Sequence, residues 1–175
     1  MIYLITGGAR SGKSNFAEKI ALNKGGQDVY YLATSEVKDK EMAKRVEKHR
    51  EHRPQVWETI EEPLEVGKAI SRLPRGSVIL IDCITVLVSN LLLSNSEEEN
   101  KQNQVQSNEN KKYNKEKKEK TIMKKVESII TNIREKDIDA ILVTNEVGMG
   151  IVPAYELGRI YRDIAGRVNQ YLAGK

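Results

Sequence analysis

The residues Gly7-Gly8-Ala9-Arg10-Ser11-Gly12-Lys13-Ser14 form the pattern G-x-x-x-x-G-K-[ST] directly after an apolar run, Ile2 to Thr6. Glycines there let backbone N–H groups curl around phosphate oxygens, and the start of a following helix adds partial positive charge. In such a loop the lysine, Lys13, reaches the β- and γ-phosphates, and the hydroxyl of Ser14 ligates Mg²⁺. A chance glycine-rich turn would rarely fill every motif position with a strand before it and a helix after it. The motif predicts binding of a nucleoside triphosphate.

Further along, Val78-Ile79-Leu80-Ile81-Asp82 is an apolar run that ends in a carboxylate. An aspartate after a strand is often a helix N-cap. In a chain that also carries a phosphate loop, the better expectation is that Asp82 holds Mg²⁺ or its water at the strand's carboxyl end, beside Ser14. The histidines are His49 and His52, with Arg45, Arg50 and Arg53 around them. Met42, Val46 and His49 are spaced i, i+4, i+7, which puts His49 on the inward face of a helix and leaves His52 off it. Cations at a helix terminus complement its dipole, and spacing alone favours that role. An imidazole near a triphosphate can also be a nucleophile toward phosphorus. Thr144 to Pro153, TNEVGMGIVP, sets polar groups and glycines after a buried strand. That edge of an open α/β sheet is where ligands bind, although an ordinary turn has the same composition. Arg162, Asp163, Arg167 and Asn169 are polar positions on the last predicted helix, each by itself compatible with a solvated face.

These groups need a scaffold. Strands are expected at Ile2–Thr6, Val29–Thr34, Val78–Cys83 and Ala140–Thr144, as short apolar runs buried on both faces. Between them, Phe16, Ala17, Ile20 and Ala21 recur at helical spacing up to Gly25-Gly26. Residues 41–51 read as a second helix closed before Pro54. From about Tyr155, Leu157, Ile160, Tyr161, Ile164, Val168 and Leu172 share one helical face. Strands alternating with helices predict an α/β fold of the P-loop NTPase kind, a mostly parallel central sheet flanked by helices on both faces. The 175 residues suit a single domain. Residues 95–120, dominated by Lys, Glu, Asn, Gln and Ser, read as an exposed loop or extended helix inserted into it, without a catalytic role.

Composition narrows the partners. The net charge is +4, from 29 basic and 25 acidic residues spread along the chain, with one Phe and one Trp for base stacking. A nucleic-acid footprint needs a clustered basic face, so no nucleic-acid partner is expected. Apolar stretches fall short of a membrane span. The single cysteine, Cys83, lies in an apolar run and reads as a buried small hydrophobe in a reducing, cytoplasmic setting.

Taken in order, GGARSGKS, YLATS at Tyr31–Ser35, EMAKRVEKHREHRP at Glu41–Pro54, ILIDCITVLVSNLL at Ile79–Leu92, TNEVGMGIVP and RDIAGRVNQ at Arg162–Gln170 resemble one family. It is the bifunctional adenosylcobinamide kinase / adenosylcobinamide-phosphate guanylyltransferase family of cobalamin biosynthesis. The phosphate loop is generic; the HREHRP and TNEVGMGIVP blocks make the resemblance specific. It implies two reactions. A nucleoside triphosphate, ATP or GTP, phosphorylates the aminopropanol hydroxyl of adenosylcobinamide. GTP then guanylylates an enzyme histidine, and the GMP passes to the phosphorylated corrinoid. The family's pattern RxxxHxxxRP places that histidine at His49. The resemblance further implies nucleotide contacts at Gly7 to Ser14, at Ala33, Thr34 and Ser35, at Arg50, Glu51, His52 and Arg53, at Glu61 and at Asp82. It implies Mg²⁺ at Ser14 and Asp82, and a homotrimer. Members of the family continue past the last helix into a final strand, so that strand is expected to be missing here. A monofunctional small-molecule kinase and a nucleotide-dependent regulatory module remain the alternatives.

Overall fold

The structure, a computed structural model, describes residues 1–36, 54–100 and 108–175, with side chains described outside 95–114. Five strands form one sheet: β1 (Ile2–Ile5), β2 (Val29–Ala33), β3 (Glu58–Glu61), β4 (Val78–Asp82) and β5 (Asp139–Val143). Their order is β1-β5-β4-β2-β3, and every neighbouring pair is parallel. Parallel strands need crossovers, and the helices supply them. These are α1 (Lys13–Gly25), α2 (Val66–Ile70), α3 (Ile84–Asn100), α4 (Asn108–Glu135) and α5 (Glu156–Ala173).

Two apolar layers hold the sheet. On one face Ala17 and Ala21 of α1 pack with Tyr31, Leu80, Ile141, Val143 and Trp57. On the other, Val66, Ile84, Leu87, Ile122, Ile129, Ile133, Ile164 and Val168, from α2 to α5, pack with Ile79, Ile81 and Leu142. Helices therefore cover both faces, as expected, but unequally: among the described residues, α1 alone lies on the first. Its small alanines let it approach the sheet closely, and Phe16, expected on that buried face, is exposed instead. Leu157 is likewise exposed, because the buried stripe of α5 begins a turn later and runs through Ile164, Ala165, Val168 and Leu172. Gly67 marks the tightest helix contact. A Cβ there would sit 2.3 Å from Ser128 Oγ on α4, so only hydrogen fits between α2 and α4.

The strand β3 was not among the expected strands. Glu58-Thr59-Ile60-Glu61 is polar and mostly exposed, as an outer strand can be. The polar stretch 95–120 is helical where it is described, ending α3 and opening α4. The helix expected at residues 41–51 lies outside the described residues.

Candidate functional site

Parallel strands all point their carboxyl ends to the same edge, and the register aligns those ends. Ile5 pairs with Val143, Val143 with Asp82, Asp82 with Ala33 and Ala33 with Glu61. One row across the sheet thus carries three residues expected in the site: Asp82, Ala33 and Glu61. The loop after each strand continues past that row on the same side.

Helices leave this edge in opposite directions at one point. The chain after β1 enters α1 on one face, while the chain after its neighbour β5 enters α5 on the other. Diverging loops open a crevice between them, the usual ligand position in an open α/β sheet. The loop after β1 is the Gly7–Ser14 motif, and the loop after β5 is Thr144–Pro153. They touch: the Glu146 amide donates to the Gly7 carbonyl at 2.9 Å, and the Thr144 amide to the Ile5 carbonyl at 2.9 Å.

At the mouth of the crevice, Gly12 is the N-cap of α1 in the left-handed region, φ 84°, and no side chain caps the helix. The first intrahelical amide bond is Phe16 N to Gly12 O, 3.0 Å, so the amides of Lys13, Ser14 and Asn15 lack intrahelical acceptors. Gly7, Gly8, Ala9, Arg10 and Ser11 form the loop itself, and Arg10 also adopts a left-handed conformation, φ 57°. The Lys13 ammonium folds over this loop, donating to the Gly8 carbonyl and to Ser11 Oγ at 3.3 Å. Uncapped amides, an aligned dipole and a lysine on a flexible stem make a cradle for an anion.

Asp82 stands two strands from β1, with β5 between. Two strand spacings of about 4.8 Å separate β4 from β1, and Ser14 lies beyond β1 at the start of α1. Asp82 Oδ2 accepts from Tyr31 Oη at 3.0 Å. Next to it Thr34 is buried and ties two strand ends together. Its hydroxyl donates to the Cys83 carbonyl (2.8 Å) and accepts from the Cys83 amide (3.0 Å), while Asn90 Nδ2 holds the Thr34 carbonyl at 2.8 Å. Ser35, one residue on, is half-buried at the rim. Cys83 is buried, as its apolar surroundings suggested; burial, reinforced by the charge of Asp82, pushes its thiol above the usual range.

Behind the second loop lies a polar cluster that the sequence did not reveal. Thr144 Oγ1 donates to Asn169 Oδ1 (2.7 Å) and lies 3.2 Å from Thr85 Oγ1. The Asn145 amide donates to Thr85 Oγ1 (2.6 Å), and Asn169 Nδ2 donates to the Asn145 carbonyl (3.1 Å). Tyr161 Oη donates to the Thr85 carbonyl at 3.3 Å, and burial raises its phenol to about 12. These bonds fix the direction in which Asn145 and Glu146 leave the sheet. Asn169 sits in the RDIAGRVNQ block, its one sequence signal. Of the other polar residues there, Arg162 pairs with Asp163 (3.0 Å) and Arg167 with Glu119 on α4.

His49, Arg50, Glu51, His52 and Arg53 lie outside the described residues. Among the described residues no group of three or more His, Cys, Asp or Glu is placed to hold a metal. Ser14 and Asp82 supply hard oxygen donors, and Mg²⁺ commonly takes one or two protein oxygens and completes its shell with water and phosphate. The donor set therefore fits Mg²⁺ brought with a nucleotide. No helix among the described residues is long and apolar enough to cross a membrane.

Comparison with known proteins gives a consistent answer. The family profile described as "Cobinamide kinase / cobinamide phosphate guanyltransferase" matches residues 3–175. The bifunctional adenosylcobalamin biosynthesis protein CobU of Escherichia coli (strain K12) is 41% identical over 174 residues, 99% of this chain and 90% of its own length. The protein of the same name from Salmonella typhimurium is also 41% identical over 174 residues with the same coverage. The bifunctional adenosylcobalamin biosynthesis protein CobP of Pseudomonas aeruginosa is 37% identical over 171 residues, 97% of this chain and 86% of its own length.

Proposed function

This chain belongs to the cobinamide kinase / cobinamide phosphate guanyltransferase family, and from that premise we propose how a single crevice serves both reactions. The protein is a bifunctional enzyme of cobalamin biosynthesis. It phosphorylates cobinamide with a nucleoside triphosphate and transfers a guanylyl group to cobinamide phosphate. The observation that carries the mechanism is the phosphate loop at the point where α1 and α5 diverge, with the N-terminus of α1 uncapped.

In the kinase step the amides around Gly8 to Ser14 hold the β- and γ-phosphates. Lys13 leaves its contacts with Gly8 and Ser11 for the phosphate oxygens, so charge developing in transfer meets fixed donors. Mg²⁺ held through Ser14 and Asp82 would neutralise further phosphate charge. The corrinoid's hydroxyl oxygen attacks the γ-phosphorus, the bond to the bridging oxygen breaks, and a nucleoside diphosphate leaves. Positioning supplies most of the rate in such reactions.

In the guanylyl step GTP occupies the same loop. A ring nitrogen of neutral His49 forms a bond to the α-phosphorus, and the bond to the β-phosphate oxygen breaks with release of pyrophosphate. Arg50 or Arg53 steadies the charge that develops on the leaving group. A phosphate oxygen of cobinamide phosphate then displaces the histidine and takes the GMP. Ala33, Thr34, Ser35 and Glu61, which end or follow the adjoining strands, form the nucleoside side of the crevice, and Glu51 and His52 add nucleotide contacts. One domain carries all of this, and a cytoplasmic homotrimer belongs to the same proposal.

The test is direct. The wild type and His49→Ala are incubated with α-labelled GTP and Mg²⁺, denatured, and scored for protein-bound label. The expected label is acid-labile and alkali-stable, and is lost in His49→Ala while cobinamide phosphorylation continues. Label persisting in His49→Ala would sink the assignment of the histidine.

A further inference from the structure

The loop after β5 has a property that neither phosphate binding nor guanylyl transfer uses. Within seven residues it exposes four large apolar side chains: Met149 (92%), Ile151 (98%), Val152 (60%) and Tyr155 (71%). Single exposed apolar residues are ordinary; a run of them beside a polar site marks a binding surface. This run is held in place. At its start the Glu146 amide bonds to Gly7, and the Gly148 amide donates to Glu146 Oε1. At its far end Arg159 donates to the carbonyls of Pro153 (2.9 Å) and Ala154 (2.6 Å). The Tyr155 ring lies so close over Gly158 that a Cβ there would come within 2.8 Å of it. The loop is braced at both ends, and its apolar side chains face water between the braces.

Its position says what it faces. The braced start is bonded to the phosphate loop itself, so the apolar run borders the crevice in which an acceptor hydroxyl must meet the γ-phosphate. In the reaction proposed above that hydroxyl hangs on a corrin, a broad ring edged with methyl groups and amide arms. We infer that the segment Met149–Tyr155 is the docking surface for the corrin ring, its apolar side chains packing against the ring while the aminopropanol arm enters the crevice. This rests on the reading of the chain as a cobinamide kinase. Apolar contact with a few nearby polar groups is the ordinary composition of a small-molecule site. The exposed backbone of Gly150 offers an N–H and a C=O to the amide arms. The same surface would serve both reactions, since the corrinoid is the acceptor in each.

The experiment uses the full chain and cobinamide. Binding is measured by equilibrium dialysis, following the visible absorbance of the corrin, with a non-hydrolysable triphosphate present. Turnover is measured in parallel on the wild type, on Met149→Ser/Ile151→Ser, and on the conservative Met149→Leu/Ile151→Val. The polar pair is expected to weaken cobinamide binding and raise its KM by about tenfold or more. Its kcat, GTP affinity and labelling by α-labelled GTP are expected to stay within about twofold of the wild type. The conservative pair is expected to retain wild-type affinity. Cobinamide affinity unchanged in the polar pair would overturn the inference. So would an altered molecular mass of that pair in light scattering, which would make the patch a contact between copies. If the wild type binds cobinamide and the polar pair does not, yet neither turns it over, the docking surface stands and the kinase reading falls. If turnover is normal and both variants bind equally, the kinase reading stands and the docking surface falls.

Discussion

The two edges of the sheet are built on opposite principles. At the amino edge the chain closes on itself. The Met1 amino group pairs with Asp139 at 2.6 Å, and Lys24 approaches the same carboxylate at 3.7 Å. Arg75 donates to the Glu135 carbonyl, Lys136 to that of Leu73, and Trp57 Nε1 to that of Gly26 at 3.0 Å. Donors there are matched to acceptors from the chain itself. At the carboxyl edge, between β1 and β5, the helix N-caps are Gly12 for α1 and Tyr155 for α5. Neither α1 nor α5 has a side-chain cap at its N-terminus, and large apolar residues face water. The lesson is one of division: the amino edge stabilises the fold, and the carboxyl edge keeps its hydrogen-bonding capacity for a ligand.

The largest effect expected from this contrast is on stability at the amino edge. Trp57 is buried against the α1 layer, so Trp57→Ala removes packing and the bond to Gly26 together. A loss of about 3–5 kcal/mol in urea unfolding is expected, with the activity of the folded fraction retained. A variant of wild-type stability would break the contrast at that end. Ser14→Ala is the counterpart at the carboxyl edge. It is expected to lower phosphoryl transfer by about 10²-fold and to raise the Mg²⁺ concentration needed for half-maximal rate, with little change in unfolding. Ser77→Ala, at the amino edge, is expected to leave transfer unchanged.

Asn169→Ala gives a smaller, mixed effect, because its side chain reaches from α5 to the strand end. It leaves the Thr144 hydroxyl and the Asn145 carbonyl without their partner. About 1–3 kcal/mol of stability is expected to go, and transfer is expected to slow at temperatures where the variant is still folded. Full activity in a destabilised variant would confine Asn169 to the fold. The smallest effect is on the alkaline side. The fold raises the Cys83 thiol above its ordinary 9.0 and the Tyr161 phenol from 10.0 to about 12. Both groups hold their protons more tightly folded than unfolded. Their contribution is fully present below the unfolded pKa and is lost as pH rises through the folded one. Unfolding midpoints are therefore expected to fall as pH rises from about 9 to about 12, and less steeply in Cys83→Ala.

Much of the carboxyl edge was legible in the sequence because its signals are local. Gly7–Ser14 is contiguous, and the apolar runs ending at Ala33, Asp82 and Val143 announce strands with chemistry at their ends. What escaped depends on distance along the chain. Strand order is one case: nothing in the run 139–143 says that it inserts between β1 and β4, which sets Asp82 two strands from the phosphate loop. The cluster of Thr85, Thr144 and Asn169 is another, since its members lie 59 and 25 residues apart and each passes alone as an ordinary polar side chain. The strand β3 escaped for a different reason. Its exposed, charged residues carry no apolar pattern, because an outer strand buries little. Phe16 and Leu157 show the converse: helical spacing predicts a face, but where the buried stripe starts is decided by packing.

The central claim is that one phosphate loop presents the triphosphate for both reactions. Lys13→Ala tests it most directly, with cobinamide phosphorylation and covalent labelling by α-labelled GTP measured on the same preparation. Both are predicted to fall by about 10²–10³-fold while unfolding is nearly unchanged. Labelling at the wild-type rate in a variant that has lost phosphorylation would contradict the account, because the histidine would then draw on a second nucleotide site.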